Sequence, residues 1–279
     1  MYKDNPMKIG IALGGGAVLG AVHLGVLQAL EEHDIYADML TGTSIGAVMA
    51  AQYAFGLAPH DIKERMQKMD WWDVSKFAWS NKNGLLNNHD MENFIKEQIG
   101  EVNFSDCPIP LAFIATDLCS GKKVVLDQHG VAEAAMISSC VPALYSPHER
   151  NGKLLVDGGL VENVPISPLQ SWGADFILAV NINGSPENRS PDGMIDVLMS
   201  SFDIAVDSHT RSQLRQADYV LQLNLSHYSR TDPSHTAALF DEGYNICKQQ
   251  IHGIEKALKR RPKKPLRQLR RIAHDWLSN

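Results

Sequence analysis

Ala37-Asp-Met-Leu-Thr-Gly42-Thr43-Ser44-Ile45-Gly46-Ala47-Val-Met-Ala-Ala-Gln-Tyr-Ala54 contains an apolar run (Ala37 to Leu40), a G-x-S-x-G pentapeptide, and a run of small residues at helical length (Ala47 to Ala54). Strand, sharp turn and helix in that order are the setting of a serine nucleophile elbow. Gly42 and Gly46 relieve crowding on both sides of the serine, so its hydroxyl can stand clear at a helix N-terminus. There the helix dipole favours a developing alkoxide, which makes Ser44 the candidate nucleophile.

Thirty residues upstream, Lys8-Ile-Gly-Ile-Ala-Leu13 reads as a buried strand that runs into Gly14-Gly15-Gly16-Ala17. Apolar or small residues at Val22, Val26, Ala29 and Leu30 then predict a helix from about Leu19 to Glu32. A glycine-rich loop opening a helix gathers backbone N–H groups into one concavity that binds negative charge, either a phosphate or the oxyanion of acyl transfer. No Lys-Ser/Thr follows the loop, and its glycines, continued through Gly20, are one residue off the dinucleotide spacing. Gly14, Gly15, Gly16 and Ala17 are therefore candidates for an oxyanion hole. The third segment, Lys153-Leu-Leu-Val-Asp157-Gly158-Gly159, is a strand that delivers one carboxylate into a glycine turn. Gly158 and Gly159 leave room for close approach to Asp157. A serine nucleophile needs a partner to take its proton, and strand-end loops of α/β sheets are where such groups collect.

These three segments, in this order, resemble the patatin-like phospholipase family. The resemblance extends over roughly residues 7 to 225, including Ala115-Thr-Asp-Leu-Cys-Ser-Gly121, Ala135-Met-Ile-Ser-Ser-Cys-Val-Pro-Ala143, and Gly173-Ala-Asp175 before a closing strand, Phe176 to Asn181. It implies an α/β fold of three layers, α/β/α, around a mostly parallel sheet, and an acyl hydrolase working on lipid esters without metal or cofactor. By carry-over, Ser44 is the nucleophile, Asp157 the general base, and the amides of the Gly14–Ala17 loop the oxyanion donors. The chain departs from the pattern at Leu19, where many members carry Arg before the last loop glycine. That leaves open how the loop is braced, and it favours the alternative of a catalytically weak lipid-binding or regulatory protein on the same fold.

A Ser-Asp-His triad would need a histidine downstream of the acid. His209, His227, His235, His252 and His274 are available, but none lies in a strand-end loop beside a Gly or Pro turn. No H-E-x-x-H or Cys/His metal spacing occurs. Cys107, Cys119, Cys140 and Cys247 are scattered, as expected of reduced thiols in a cytoplasm.

With 279 residues and 44% hydrophobic content, one α/β core is expected, undivided by a linker or an internal repeat. The expected parse is an acyl-hydrolase domain (7–225), a helical extension (226–255) and a basic tail (256–279). No run of 18 apolar residues and no leader pattern appears, so a cytoplasmic protein is expected, at most peripheral at a membrane. Trp71, Trp72 and Trp79 form a cluster that either covers the core or lines an acyl-chain wall. Residues 193–230 read as a long surface helix followed by a strand, Tyr219 to Leu223.

Charge is polarised along the chain. Lys256 to Asn279 holds nine Lys/Arg against Asp275 alone, whereas the preceding 255 residues hold 17 basic and 31 acidic side chains. Leu266, Leu269, Ile272, Ala273, Trp276 and Leu277 recur there at helical spacing. Two readings stay open: an interfacial helix on anionic membrane, or a helix docked on the domain. Nucleic acid is not expected as a partner of so acidic a body. The sequence does not determine the oligomeric state.

Overall fold

The computed structural model describes residues 7–68, 88–142, 144–182, 194–228 and 233–260. An eight-stranded sheet runs in the order β5-β6-β3-β2-β1-β7-β8, with β4 paired to β3. The strands are β1 (Ile9–Leu13), β2 (Met39–Gly42), β3 (Leu111–Asp117), β4 (Lys122–Leu126), β5 (His148–Arg150), β6 (Lys153–Asp157), β7 (Phe176–Asn181) and β8 (Tyr219–Gln222). The ladders linking β3, β2, β1, β7 and β8 are parallel, while β4, β5 and β6 add antiparallel pairings at the β3 end. The fold is therefore α/β around a mixed, mostly parallel sheet.

Alternation along the central strands explains the layering. Ile11 and Leu13 of β1, with Phe176, Leu178 and Val180 of β7, join one core cluster, while Ala12, Ile177 and Ala179 join another. Successive residues of a strand face opposite sides, so both faces of the sheet need cover. The larger face is covered by α1 (Ala21–Glu31), α2 (Ile45–Ala54) and α9 (Thr236–Arg260), whose buried residues belong to that cluster. On the other face, Ile166 and Leu169 of α7 (Ile166–Ser171) pack with Ala12 and Ile177. The helices α3 (Pro59–Lys68), α4 (Asn88–Ile99), α5 (Val131–Ser138), α6 (Gly159–Glu162) and α8 (Met194–Leu214) complete the described chain.

The expected helix at Leu19 begins as a 3-10 turn, Ala17–Gly20, before α1. The 193–230 segment forms α8 and β8 as expected, although Val206 and Thr210 of α8 are buried. α9 crosses α1 so closely that a Cβ on Gly25 would meet the Phe240 carbonyl and one on Gly243 the Val22 carbonyl. It also continues unbroken through Arg260, past the expected boundary at 255/256, because no proline interrupts it before Pro262. The Trp71–Trp79 segment and the Leu266–Leu277 stripe lie outside the described residues. No helix among the described residues is long and apolar enough to cross a membrane.

Candidate active site

β3 serves as a ruler for the site. Its Phe113 pairs with Gly42, the last residue of β2, and its Ala115 pairs with Asp157, the last residue of β6. β2 runs parallel to β3 and β6 antiparallel, so both strands head toward Ile114 and stop on either side of it. A strand has only two edges, and β4 occupies one of them from Phe113 to Asp117. β2 and β6 therefore share the other edge, and the chain leaving each strand turns out at the same place. Ser44 and Asp157, distant in sequence, are brought together by backbone register.

At the first exit the chain turns within two residues into α2, with Ser44 at its N-cap (φ 54, ψ −128). A positive φ at a non-glycine residue is strained and persists only where its surroundings hold it. Backbone contact on both sides does this: a Cβ on Gly42 would meet the Gly46 carbonyl, and one on Gly46 the Leu13 carbonyl. The Ser44 amide donates to Ser138 Oγ (3.0 Å), and that hydroxyl donates to the Ile114 carbonyl (2.6 Å). Thr43 Oγ1 donates to the Glu162 carbonyl (2.9 Å), tying the elbow to α6.

At the second exit, Asp157 is 1% exposed. Its amide donates to the Cys140 carbonyl (2.9 Å), and its Oδ1 accepts the Gly159 amide (2.7 Å). The Gly158 amide donates to the Ser138 carbonyl (3.4 Å). The end of α5, Ser138 to Cys140, thus holds both exits. Burial pushes the Asp157 carboxyl up from 3.8 to about 6, against the Ser44 hydroxyl and the Gly159 amide, which pull it down; Asp203 adds a smaller upward push. Oδ2 is buried without a fully formed hydrogen bond. The Ser44 hydroxyl is thus near enough to act on the carboxyl electrostatically, but the pair falls short of a formed bond. Beyond the turn, Glu162 is 5% exposed yet fully partnered, by Lys123 Nζ (2.8 Å), the Ser167 amide (2.8 Å) and the Ser167 hydroxyl (2.7 Å).

The glycine loop lies directly against the elbow. A Cβ on Gly15 would sit 3.0 Å from Ser44 Cβ and 2.7 Å from Asn163 Oδ1. Two of its four expected donors are already committed: the Gly14 amide to the Val180 carbonyl (3.0 Å) and the Gly15 amide to the Asn163 carbonyl (3.2 Å). The Gly16 and Ala17 amides, the latter at φ 52, have no acceptor among the described residues. The candidate oxyanion donors are narrowed to those two.

Leu19 is not a missing brace: it is buried in the core at 1% exposure. The loop is held from beneath by His23, whose Nε2 donates to the Gly14 carbonyl (2.7 Å). Burial drives its pKa down from 6.5 to about 4, so the ring is neutral at pH 7, with Nδ1 as an unpaired acceptor. Sequence reasoning missed His23, Ser138 and Asn163. The only sequence trace of Ser138 is the resembling stretch around it, and nothing marks the other two. Of the triad candidates, His209, His227, His235 and His252 are exposed whereas Asp157 is buried, and His274 lies outside the described residues. Among the described residues no three His, Cys, Asp or Glu side chains gather as a metal site.

A family model described as patatin-like phospholipase matches residues 11–169. An uncharacterized NTE family protein of Mycobacterium tuberculosis is 32% identical over 190 residues, covering 66% of this chain and 52% of that protein. Lysophospholipase NTE1 of Saccharomyces cerevisiae is 30% identical over 191 residues, 66% of this chain and 11% of that protein. The chain thus spans about half the length of the mycobacterial relative and far less of the yeast one. Among solved structures, VipD from Legionella pneumophila aligns with a TM-score of 0.57 at 16% identity, covering 89% of this chain and 67% of that one. ExoU from Pseudomonas aeruginosa, in complex with SpcU, aligns at 0.51 and 16% identity, covering 91% and 53%. At such identities the likeness is one of fold.

Proposed function

The chain belongs to the patatin-like phospholipase family, and on that footing we propose that it is a serine acyl hydrolase of lipid esters that works through a Ser44–Asp157 dyad. One observation carries the reading: β2 and β6 converge on Ile114 of β3, which sets a strained serine near a buried carboxyl whose second oxygen has no hydrogen-bond partner among the described residues. A carboxylate near its ordinary pKa is a poor base for a hydroxyl, and raising it to about 6 narrows the gap.

The reaction runs in two steps. Ser44 Oγ attacks the ester carbonyl carbon while its proton passes to Asp157 Oδ2, and the electron pair of the C=O bond moves onto oxygen, facing the Gly16 and Ala17 amides. Collapse expels the alcohol, which takes the proton from Asp157. Water then attacks the acyl-enzyme, losing a proton to Asp157. That proton returns to Ser44 as the acid leaves. His23, neutral and hydrogen-bonded to the loop, keeps the donors in place without adding charge beside the base.

The test is turnover of a short p-nitrophenyl ester and of a lysophospholipid, together with labelling by a fluorophosphonate probe. Both activities and the label are expected to vanish in Ser44→Ala. Labelling that survives in Ser44→Ala sinks the assignment. The basic stripe of residues 266–277, which lies outside the described residues, is proposed to bring the enzyme to anionic membrane surfaces, on the strength of its charge and its Trp276.

A further inference from the structure

Asn163 follows α6 and is 3% exposed. Its main chain serves the glycine loop, since its carbonyl accepts the Gly15 amide. Its side chain does something else. A Cβ placed on Gly15 would lie 2.7 Å from Asn163 Oδ1 and 3.0 Å from Ser44 Cβ, and one placed on Gly159 would lie 3.5 Å from Asn163 Oδ1 and 3.0 Å from Asp157 Oδ1. The carboxamide is thus wedged between the glycine loop and the aspartate turn, with the nucleophile candidate on one side and the base candidate on the other. Its Nδ2 is buried and has no acceptor among the described residues.

A buried amide nitrogen without a partner is costly, so its retention calls for an acceptor that arrives with something else. The proposed dyad accounts for the other orphan at this place, Asp157 Oδ2, as the oxygen that would take the Ser44 proton. It does not account for Asn163 Nδ2. The group that must enter beside Ser44 and the glycine loop is the substrate carbonyl, whose oxygen is an acceptor and becomes an oxyanion. The loop alone is short of donors, because the Gly14 and Gly15 amides are already spent.

We propose that Asn163 Nδ2 donates a hydrogen bond to the acyl oxygen of the substrate, so that a side chain and the Gly16 and Ala17 amides together hold the oxyanion. The proposal rests on the reading of Ser44 as the nucleophile. The residue type fits the place: a neutral carboxamide stabilises negative charge on the substrate without adding a positive charge that would weaken Asp157 as a base.

Wild type, Asn163→Ala and Asn163→Asp are to be compared on a soluble p-nitrophenyl ester, with Ser44→Ala as the blank. Affinity for a trifluoromethyl ketone, which adds to serine as a tetrahedral adduct, and thermal midpoints are measured alongside. The expected result is a fall in kcat of about 10² for Asn163→Ala, with KM nearly unchanged, as for loss of one oxyanion donor. Asn163→Asp is expected to fall at least as far, and ketone affinity to fall with kcat/KM. A merely bracing side chain would lower the thermal midpoint and leave ketone affinity and kcat of the folded protein within about threefold, well short of the loss of an oxyanion donor; that result overturns the proposal. If Asn163→Ala does not fold, Asn163→Ser gives the same reading. A wild-type protein without Ser44-dependent hydrolysis or labelling would instead overturn the hydrolase reading, and this inference with it.

Discussion

Replacing Asp157 by Asn should abolish turnover and make the protein more stable at neutral pH. The carboxyl sits at about 6 in the fold against an ordinary 3.8, with burial as the main cause. Keeping it ionised at pH 7.5 therefore destabilises the native state by about 3 kcal/mol, at about 1.4 kcal/mol per pKa unit. Asn keeps the oxygen that accepts the Gly159 amide, at 2.7 Å, and replaces an oxygen that has no formed bond. The new NH₂ offsets roughly 1–3 kcal/mol if it finds no acceptor, leaving a net gain of up to about 2 kcal/mol. The sign follows from linkage. Between pH 6 and 3.8 the folded wild type holds a proton that the unfolded chain has lost, so wild-type stability from this group rises as pH falls and is lost as pH rises through 6. The Asn variant lacks that dependence, so its advantage should shrink below pH 6 and be gone by pH 4. His23 has the opposite slope, its folded pKa of about 4 lying below 6.5, but it is common to both proteins and cancels in the difference. Urea unfolding of both proteins at pH 7.5, 6 and 4.5 measures this difference. An Asn variant that is less stable at pH 7.5, or a difference that does not change with pH, refutes the reasoning.

The logarithm of kcat/KM on a soluble ester should rise with pH and level off through an apparent pKa near 6, because Asp157 must be ionised to accept the serine proton; a flat profile from pH 5 to 8 contradicts it. Ser138→Ala removes the acceptor of the Ser44 amide at 3.0 Å, so stability should fall by roughly 1–3 kcal/mol in urea unfolding and fluorophosphonate labelling should slow. Gly15→Ala forces a methyl to within 2.7 Å of Asn163 Oδ1 and 3.0 Å of Ser44 Cβ, and a 1 Å displacement there should cost about 10² in kcat with folding retained on circular dichroism. Deleting residues 266–279 should weaken sedimentation with anionic vesicles in a salt-dependent way and spare hydrolysis of the soluble ester; equal vesicle binding with and without them would retire the membrane contact.

What was legible in the sequence is what local chemistry specifies. The strand before Gly14, the elbow at Ser44 and the strand ending at Asp157 each announce themselves within a few residues, and β6 and β7 fall on the expected residues. The hidden parts are those that depend on distant partners. Ser138 reads as one more small helical residue until the fold sets it against an amide 94 positions away. His23 looks like any polar position on α1, and only burial under the loop makes it a neutral brace. The sequence marks 226–255 as helical but does not show what that helix, α9, packs against. Gly25 and Gly243 settle that question by letting two backbones touch, and neither glycine signals the other in sequence.

The convergence of β2 and β6 also bears on the proposed dyad, because it is what brings Ser44 and Asp157 to one place. In a triad, a histidine oriented by the acid carries the serine proton. A carboxylate acting directly must be placed within hydrogen-bond reach of the hydroxyl and kept from water that would lower its basicity. In the proposed dyad, the approach of the two residues is set by main chain rather than by long side chains. Asp157 and Gly42 are fixed by their pairing with Ala115 and Phe113, and the intervening Ile114 carbonyl accepts the Ser138 hydroxyl that receives the Ser44 amide. The strain at Ser44 and the raised carboxyl are local losses held by the sheet and by the two backbone-tight glycines of the elbow. Held this way, the Asp157 carboxyl is raised to about 6 chiefly by burial. It follows that improving the base by removing the serine hydroxyl, which now pulls the carboxyl down, would raise the Asp157 pKa further in Ser44→Ala, while leaving no nucleophile to use it.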